Sequence, residues 1–180
     1  MGIVVHEFIS LDGVYEDPSW TFDFPVDPRM FDAVGAAMAN SKAILLGRRT
    51  YEMFEPAWST RTVEDDPGAP FFNESPKYVV SSTLESAGWN NSTVLGPYDP
   101  DAIRSLKEQV DGDIYISGSG TLVRALLADG LVDELLLLVF PVALGSGEHL
   151  FVEGAPTKLE LKETEAYSSG VVRLSYRPTV

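Results

Sequence analysis

Two arginines stand side by side in the stretch LLGRRTYE, residues 45–52, directly after a glycine that ends an apolar run. Arg48, Arg49 and the hydroxyl of Thr50 together offer several hydrogen-bond donors around one point. Arginine forms bidentate pairs with phosphate oxygens, so a phosphomonoester dianion would suit this cluster. The alternative is that either arginine pairs with a neighbouring carboxylate, because the chain has 27 acidic and only 13 basic residues.

A second stretch that could do chemistry is YISGSGTLVRALL, residues 115–127, in which a strand pattern, a Gly-Ser-Gly turn and a helix pattern follow one another. Free backbone N–H groups and the positive end of the helix dipole would meet at this turn, and both favour an anion such as phosphate. Glycine would let the backbone approach that ligand closely. The alternative is a tight turn without a ligand, because the stretch lacks the third glycine of the dinucleotide fingerprint and the lysine of a P-loop.

Small hydroxyl residues end a third strand pattern in VVSSTL, residues 79–84, where Ser81 and Ser82 could either contact a ligand or cap the local backbone. In open α/β sheets, ligands bind at the carboxyl ends of strands. Three strand ends in this sequence therefore offer arginine, glycine or hydroxyl groups. A dinucleotide with an additional 2′-phosphate would satisfy all three.

Composition and charge limit the remaining chemistry. The chain has 180 residues, a net charge of −14 and no cysteine, which excludes disulfides, thiolate catalysis and thiolate metal sites. The acidic balance argues against nucleic acids and anionic membranes as partners, because both require a basic surface. With no export signal or membrane span in the sequence, we expect a cytoplasmic protein with one domain over residues 1–180.

The two histidines and the carboxylates show no metal-ligand spacing, so we expect no metal site. His6 lies within a strand pattern and is predicted to be structural. His149 lies in a glycine-rich stretch and is predicted to be exposed rather than catalytic.

The elements that must position these groups alternate between strand and helix patterns. Helices are predicted for residues 27–41, for a short segment that begins at Arg48, and for residues 99–110 and 120–130. Phe31, Val34 and Met38 recur at helical spacing in the first of them. This order predicts a mostly parallel α/β sheet, and the alternation on both sides of SSG near the C-terminus predicts an antiparallel hairpin at its edge.

One long irregular segment is predicted over residues 55–76, EPAWSTRTVEDDPGAPFFNESP, which holds four prolines, an acidic cluster and three aromatic residues. A loop of this length in a compact domain is usually a lid, a binding loop or a mobile segment, and a solvated excursion is the alternative.

The chain resembles the dihydrofolate reductase-like superfamily. Five stretches carry this resemblance, namely ISLDG at residues 9–13, LLGRRTYE, KYVVSSTL at residues 77–84, YISGSGTLVRALL, and FPVALGSGEHLF at residues 140–151. Within it, the chain is most similar to the reductase domain of bifunctional riboflavin-biosynthesis proteins. The resemblance implies a three-layer α/β fold, a homodimer and NADPH as hydride donor. It implies reduction of a small heterocycle such as a pteridine or a ribosylamino-pyrimidine. The alternative is a nucleotide-binding protein that kept the fold and lost reductase turnover.

The resemblance also implies positions for the parts of the cofactor. The 2′-phosphate would lie at Arg48, Arg49 and Thr50, beside Gly47, which is also predicted to bind the cofactor, and the adenosine half would lie near Ser81 and Ser82. The pyrophosphate would lie on the turn formed by Gly118, Ser119, Gly120, Thr121 and Leu122.

Two aspartates are candidates for the acid that orients substrate or relays a proton. Asp12 lies in SLDG, which in such enzymes opens the loop over nicotinamide and substrate, and a turn-forming role is the alternative. Asp27 precedes Phe31 by four residues, a pattern similar to that of the substrate-binding acid on the first helix of dihydrofolate reductase. Asp27 also has the pattern of a helix N-cap, and this is the interpretation that we favour.

Overall fold

A computed structural model describes residues 2–152, 154 and 156–179. Within these residues, eight strands form one sheet and five α-helices pack on it. The strands are β1 (Ile3–Ser10), β2 (Ser41–Gly47), β3 (Lys77–Val80), β4 (Ser92–Gly96), β5 (Asp113–Ser117), β6 (Glu134–Phe140), β7 (Lys158–Ala166) and β8 (Val172–Thr179). The helices are α1 (Pro28–Asn40), α2 (Arg48–Trp58), α3 (Ala69–Glu74), α4 (Pro100–Gln109) and α5 (Gly120–Ala128), and a 3-10 helix (Pro18–Asp23) precedes α1. None of the described helices has the length and apolar character needed to cross a membrane.

The sheet has the strand order β4-β3-β2-β5-β1-β6-β8-β7. The first six strands in this order, β4, β3, β2, β5, β1 and β6, run parallel to one another. Strand β8 pairs antiparallel with both β6 and β7. The predicted mostly parallel sheet with an antiparallel C-terminal hairpin is therefore confirmed. Because β2 lies between β3 and β5, the three strand ends singled out in the sequence are neighbours at one edge of the sheet.

Both faces of the sheet are covered, because successive residues of a strand point to opposite sides. Leu45, Ile116 and Leu137 belong to a core cluster that includes side chains of α4 and α5. On the other face, Ile44 and Tyr115 belong to a cluster that includes side chains of α2 and α3. This burial on two sides accounts for strands such as LLLLV that show no polar alternation, and it makes the fold a three-layer α/β structure.

The first helix begins as its sequence indicates and turns a slightly different face inward. The Asp27 side chain accepts a hydrogen bond from the backbone N–H of Arg29, so Asp27 is the N-cap. Val34 is buried, but Phe31 is 55% exposed, because Met30 takes the inward position in the first turn.

The prediction of an irregular segment over residues 55–76 is wrong for residues 55–58 and 69–74, which are helical, whereas residues 59–68 between them are irregular as predicted. Helix α2 continues through Pro56 to Trp58, and α3 takes up the second part of the segment. The ring of Phe72 stacks on that of Trp58 with 4.2 Å between centroids. The buried Lys77 Nζ donates to the carbonyl oxygens of Phe72 and Ser75 at 2.7 and 2.9 Å. The aromatic side chains therefore anchor this segment to the sheet.

Candidate active site

The carboxyl ends of β2 and β5 and the beginnings of α2 and α5 border a groove of about 900 Å³. Most of the residues predicted to bind a cofactor line it, namely Gly47, Arg48, Arg49, Thr50, Gly118, Ser119, Gly120, Thr121 and Leu122. The other two, Ser81 and Ser82, line a smaller pocket of about 330 Å³. Arg48 and Tyr98 line both cavities, so the two adjoin.

The Gly-Ser-Gly turn has the geometry of an open helix N-terminus. Gly118 and Ser119 both have left-handed backbone conformations, with φ of 67° and 62°. The Ser119 Oγ accepts a hydrogen bond from the backbone N–H of Gly47 at 2.9 Å, which ties the end of β2 to this turn. No side chain caps α5, and its first helical bond is donated by Val123. The N–H groups from Ser119 to Leu122 therefore remain available to an anion, whereas that of Gly118 donates to Glu7.

Side chains of neighbouring residues pack close to Gly118 and Gly120. A Cβ at Gly118 would lie 3.2 Å from the Cγ2 of Thr50. A Cβ at Gly120 would overlap the ring of Tyr15. The turn is thus held between α2 on one side and the segment after β1 on the other.

Both arginines of α2 have a carboxylate partner. Arg48 pairs with Glu52 at 2.9 Å and Arg49 pairs with Glu148 at 3.1 Å, while the two arginines are 42% and 77% exposed. Both arginines therefore pair with a carboxylate, which was the alternative to phosphate binding in the sequence analysis. Exposed pairs of this kind contribute about 0–1 kcal/mol, so a phosphate dianion at the groove could compete for either guanidinium.

Glu148 links three elements at the rim of the groove. Its Oε2 accepts a hydrogen bond from the Tyr15 hydroxyl at 2.8 Å, and its Oε1 accepts from Arg49. The hydrogen bond from Tyr15 and then that from Arg49 lower the pKa of Glu148. Burial, followed by the contact with Glu148, raises the pKa of Tyr15 to about 12. Sequence reasoning missed this pair, although Glu148 lies within the FPVALGSGEHLF stretch that carries part of the resemblance.

Glu7 is a second groove residue that sequence reasoning missed. It lies within β1 and is only 3% exposed. Its Oε2 accepts a hydrogen bond from the backbone N–H of Gly118 at 3.2 Å, whereas its Oε1 has no hydrogen-bond partner among the described residues. Burial raises the pKa of Glu7 well above its usual value. The available signal was a carboxylate within a mostly apolar strand, next to His6.

Asp12 lies outside the groove and holds a loop. Its Oδ1 accepts from the Ser10 hydroxyl at 2.6 Å and from the Leu144 N–H at 3.1 Å, and its Oδ2 accepts from the Gly145 N–H at 2.7 Å. These hydrogen bonds, that of Ser10 first, lower the pKa of Asp12 to about 2. Asp12 therefore makes the contacts expected of a turn-forming residue, which was the alternative to a catalytic role.

Asp27 also lies outside the groove. Besides capping α1, it pairs with the Arg29 guanidinium at 2.7 Å and accepts from the hydroxyl of Ser168 at 2.9 Å. The hydrogen bond from Arg29 is the main reason why the pKa of Asp27 lies well below its usual value. The structure thus does not bring either of the two candidate acids to the groove.

The two histidines have different surroundings. His6 is buried and shares a hydrogen bond of 2.8 Å between its Nδ1 and the Tyr115 hydroxyl, which agrees with a structural role. Burial lowers the pKa of His6 to about 4. His149 is half-buried at the groove rather than exposed, because its backbone pairs with Val14. Across the described part of the chain, no group of three His, Asp or Glu side chains could hold a metal ion.

Comparisons with known proteins agree with this architecture. The uncharacterized protein YyaP of Bacillus subtilis is 27% identical over 182 residues, which cover 97% of this chain and 93% of YyaP. A Shewanella sp. PV-4 structure whose name assigns it to riboflavin biosynthesis superposes with a TM-score of 0.79 at 22% identity, over all of both chains. Dihydrofolate reductase from Enterococcus faecalis, complexed with NADP(H), superposes with a TM-score of 0.65 at 14% identity, over 99% of this chain and 97% of that one.

These two structures establish the dihydrofolate reductase-like fold. The family model of the RibD C-terminal domain matches residues 2–173. This match covers both borders of the groove and supports a reductase-like function. The chain belongs to the RibD C-terminal domain family.

Proposed function

We propose that the protein is an NADPH-dependent oxidoreductase that reduces a small heterocyclic substrate at a polarised C=N or C=O bond. Its substrate would be of the 5-amino-6-(5-phosphoribosylamino)uracil type or of the dihydrofolate type. One observation carries the proposal, which is that a single groove collects the arginine pair of α2 and the uncapped N-terminus of α5. A dinucleotide with a 2′-phosphate is a ligand that would use both.

The residues fit each part of such a cofactor. Arg48, Arg49 and Thr50 would hold the 2′-phosphate, and the adenosine would lie toward Ser81 and Ser82 in the adjoining pocket. The pyrophosphate would lie on the turn of Gly118, Ser119, Gly120, Thr121 and Leu122, where free N–H groups meet the positive end of the α5 dipole. When bound, NADPH would supply the hydride, and the protein would orient it and exclude water.

The remaining lining suits a flat heterocycle. Phe8 from β1, Met53 and Phe54 from α2, and Pro18 of the 3-10 helix give the groove an apolar lining. Aromatic and sulfur-containing side chains of this kind pack well against planar rings. We therefore propose that a small-molecule substrate binds beside the cofactor in the same groove.

A second candidate function is nucleotide binding without turnover. The observation that favours it is the placement of Asp12 and Asp27, which both lie outside the groove and are occupied by hydrogen bonds. A protein that binds NADPH tightly but oxidises it with neither a pterin nor a ribosylamino-pyrimidine would fit this second function.

The experiment that tests the proposal measures both binding and oxidation of NADPH. Wild-type protein is screened with dihydrofolate and with 5-amino-6-(5-phosphoribosylamino)uracil, using NADPH or NADH. We expect NADPH to bind at least about tenfold more tightly than NADH, because a charge-assisted contact contributes about 1.5–3 kcal/mol.

Replacing Arg48 and Arg49 together by alanine should weaken NADPH binding by a larger factor than NADH binding. Arg177→Ala is the matched control, because Arg177 is exposed on β8, which pairs with β6 and β7 and does not border the groove. Equal binding of both cofactors by the wild type, or an equal loss of both in the double variant, would show that the arginines serve the fold instead.

Three further parts of the proposal concern the whole chain. We propose that residues 1–180 fold as one domain, that two copies associate as a homodimer and that the protein resides in the cytoplasm. Light scattering of the purified protein tests the dimer, and a single cooperative unfolding transition tests the single domain.

A further inference from the structure

A third arginine lines the groove, and it comes from α5. Arg124 is half-buried, and its Nη1 donates to the backbone carbonyl oxygen of His149 at 2.8 Å. Its Nη2 donates to the Oγ1 of Thr121 at 3.1 Å. Both acceptors are neutral, so neither balances the charge of the guanidinium. The two hydrogen bonds hold this guanidinium beside the first turn of α5, at the surface of the groove.

The charge of Arg124 is less compensated than that of the other two arginines. Arg48 and Arg49 each pair with a carboxylate, whereas Arg124 forms no ion pair with any residue that the structure describes. Glu148 lies at the same rim, but it is bonded to Tyr15 and Arg49. These two residues lower the pKa of Glu148 more than Arg124 does. An arginine without an acidic partner is notable in a chain with a net charge of −14.

The position of this guanidinium suits an anion at the beginning of α5. Thr121 is the second residue of the helix, and its backbone N–H is among those that remain available at the turn. Since the side chain of the same residue accepts from Arg124, the guanidinium and the available N–H groups border one part of the groove. Arginine uses two of its five N–H groups here, and its planar fork matches the geometry of phosphate oxygens.

We propose that Arg124 is a further cofactor-binding residue, whose guanidinium contacts the diphosphate of a dinucleotide at the turn before α5. This inference rests on the proposed function, because it requires a dinucleotide in the groove. The hydrogen bonds to His149 and Thr121 hold the side chain in place beforehand, so it loses little conformational freedom on binding. Because NADPH and NADH share the diphosphate, Arg124 would strengthen the binding of both, whereas Arg48 and Arg49 would select between them.

The test uses three ligands that carry different phosphate groups. NADPH carries the diphosphate and the 2′-phosphate, NADH carries the diphosphate alone, and adenosine 2′-monophosphate carries the 2′-phosphate alone. We expect Arg124→Met to weaken NADPH and NADH by the same factor of about tenfold or more, because a charge-assisted contact is lost. Binding of adenosine 2′-monophosphate should be unchanged. Arg124→Lys, which keeps the charge, should retain more of the binding of both dinucleotides.

The alternative is that Arg124 only anchors the loop that contains His149, and salt separates the two roles. The loss caused by Arg124→Met should shrink as the salt concentration rises if a charge contact is removed, because salt screens exposed charges. An anchor without ligand contact would give a loss that does not depend on salt. Arg177→Met is the matched control, because it removes the same charge from an exposed position on β8 and should bind all three ligands as the wild type does.

Three results would overturn the inference. They are unchanged affinity of Arg124→Met for both dinucleotides, a loss that is independent of salt, and an equal loss for adenosine 2′-monophosphate. If the wild-type protein binds neither dinucleotide, the proposed function itself fails, and this result is distinct because no variant is needed to see it. Thermal unfolding checks that the variants fold, and Arg124→Gln is the second uncharged variant if the methionine variant does not fold.

Discussion

Lowering the pH from 7 to 5 should destabilise the protein through His6. Burial lowers the pKa of this histidine to about 4 in the folded protein, whereas the unfolded chain has the ordinary value of 6.5. The unfolded state therefore binds a proton that the folded state does not. The stability contributed by a neutral His6 is fully present above pH 6.5 and is lost progressively as the pH falls toward 4.

The size of the effect follows from the two pKa values. A difference of about 2.5 pKa units corresponds to at most about 3 kcal/mol, and linkage predicts a loss of about 2 kcal/mol between pH 7 and pH 5. This is a large part of the stability of an ordinary domain, which is about 5–15 kcal/mol. Glu7 acts in the opposite direction, because its raised pKa favours folding as the pH falls.

The assay is urea unfolding at the two pH values for wild type and for His6→Asn. Asparagine keeps a hydrogen-bonding side chain near the Tyr115 hydroxyl but does not titrate. The variant is expected to be less stable at both pH values, because it leaves a cavity. Its loss between pH 7 and pH 5 should be smaller than that of the wild type by about 2 kcal/mol. Since Glu7 is present in both proteins, its contribution cancels, and an equal loss in both would refute the reasoning.

Three further predictions concern the groove and its rim. Gly118→Val should weaken NADPH binding, because a side chain at φ 67° is strained and its Cβ would crowd Thr50. NADPH titration checks this, and normal binding by a folded variant would show that the turn is only structural. Asp12→Asn should lower the melting temperature and leave NADPH affinity unchanged, because Asp12 accepts hydrogen bonds from the Leu144 and Gly145 amides; a lower kcat at an unchanged melting temperature would instead indicate a proton relay. Glu148→Gln should raise NADPH affinity by up to about fivefold in low salt, because it removes the carboxylate that occupies Arg49; calorimetry that finds weaker binding would oppose this.

Local signals in the sequence were sufficient to predict most of the strands and helices and their order. Asp27 and Asp99 cap helices that begin with proline, and Gly130 ends α5 in a left-handed conformation, so each boundary has a nearby chemical cause. The long segment over residues 55–76 could not be predicted in the same way. Its helices depend on the packing of Trp58 and Phe72 against each other and against the sheet, which no local pattern records.

The part of the candidate site that could be predicted consists of arginine, glycine and hydroxyl residues that directly follow a strand. Arg48 and Gly118 are adjacent in the groove because β2 and β5 pair, and the strand order makes this a property of the sheet. The two candidate acids were ambiguous, because the sequence around Asp27 suits a substrate-binding aspartate and an N-cap, and that around Asp12 suits a proton relay and a turn. Glu7 was missed, since burial of one carboxylate within a strand depends on neighbours more than 100 residues away in sequence.

The central place of β1 also governs the order in which the protein can assemble. The first strand pairs with Ile114 and with Glu134, so it has no neighbour in the sheet until most of the chain has left the ribosome. Such distant pairing slows folding and leaves an apolar strand exposed in the nascent chain. The groove requires β1 beside β5, so a dinucleotide could bind only after this late step. A bound cofactor would then stabilise the folded protein by mass action. Growth conditions that deplete the cofactor would leave more of the newly made chains unfolded and open to proteolysis.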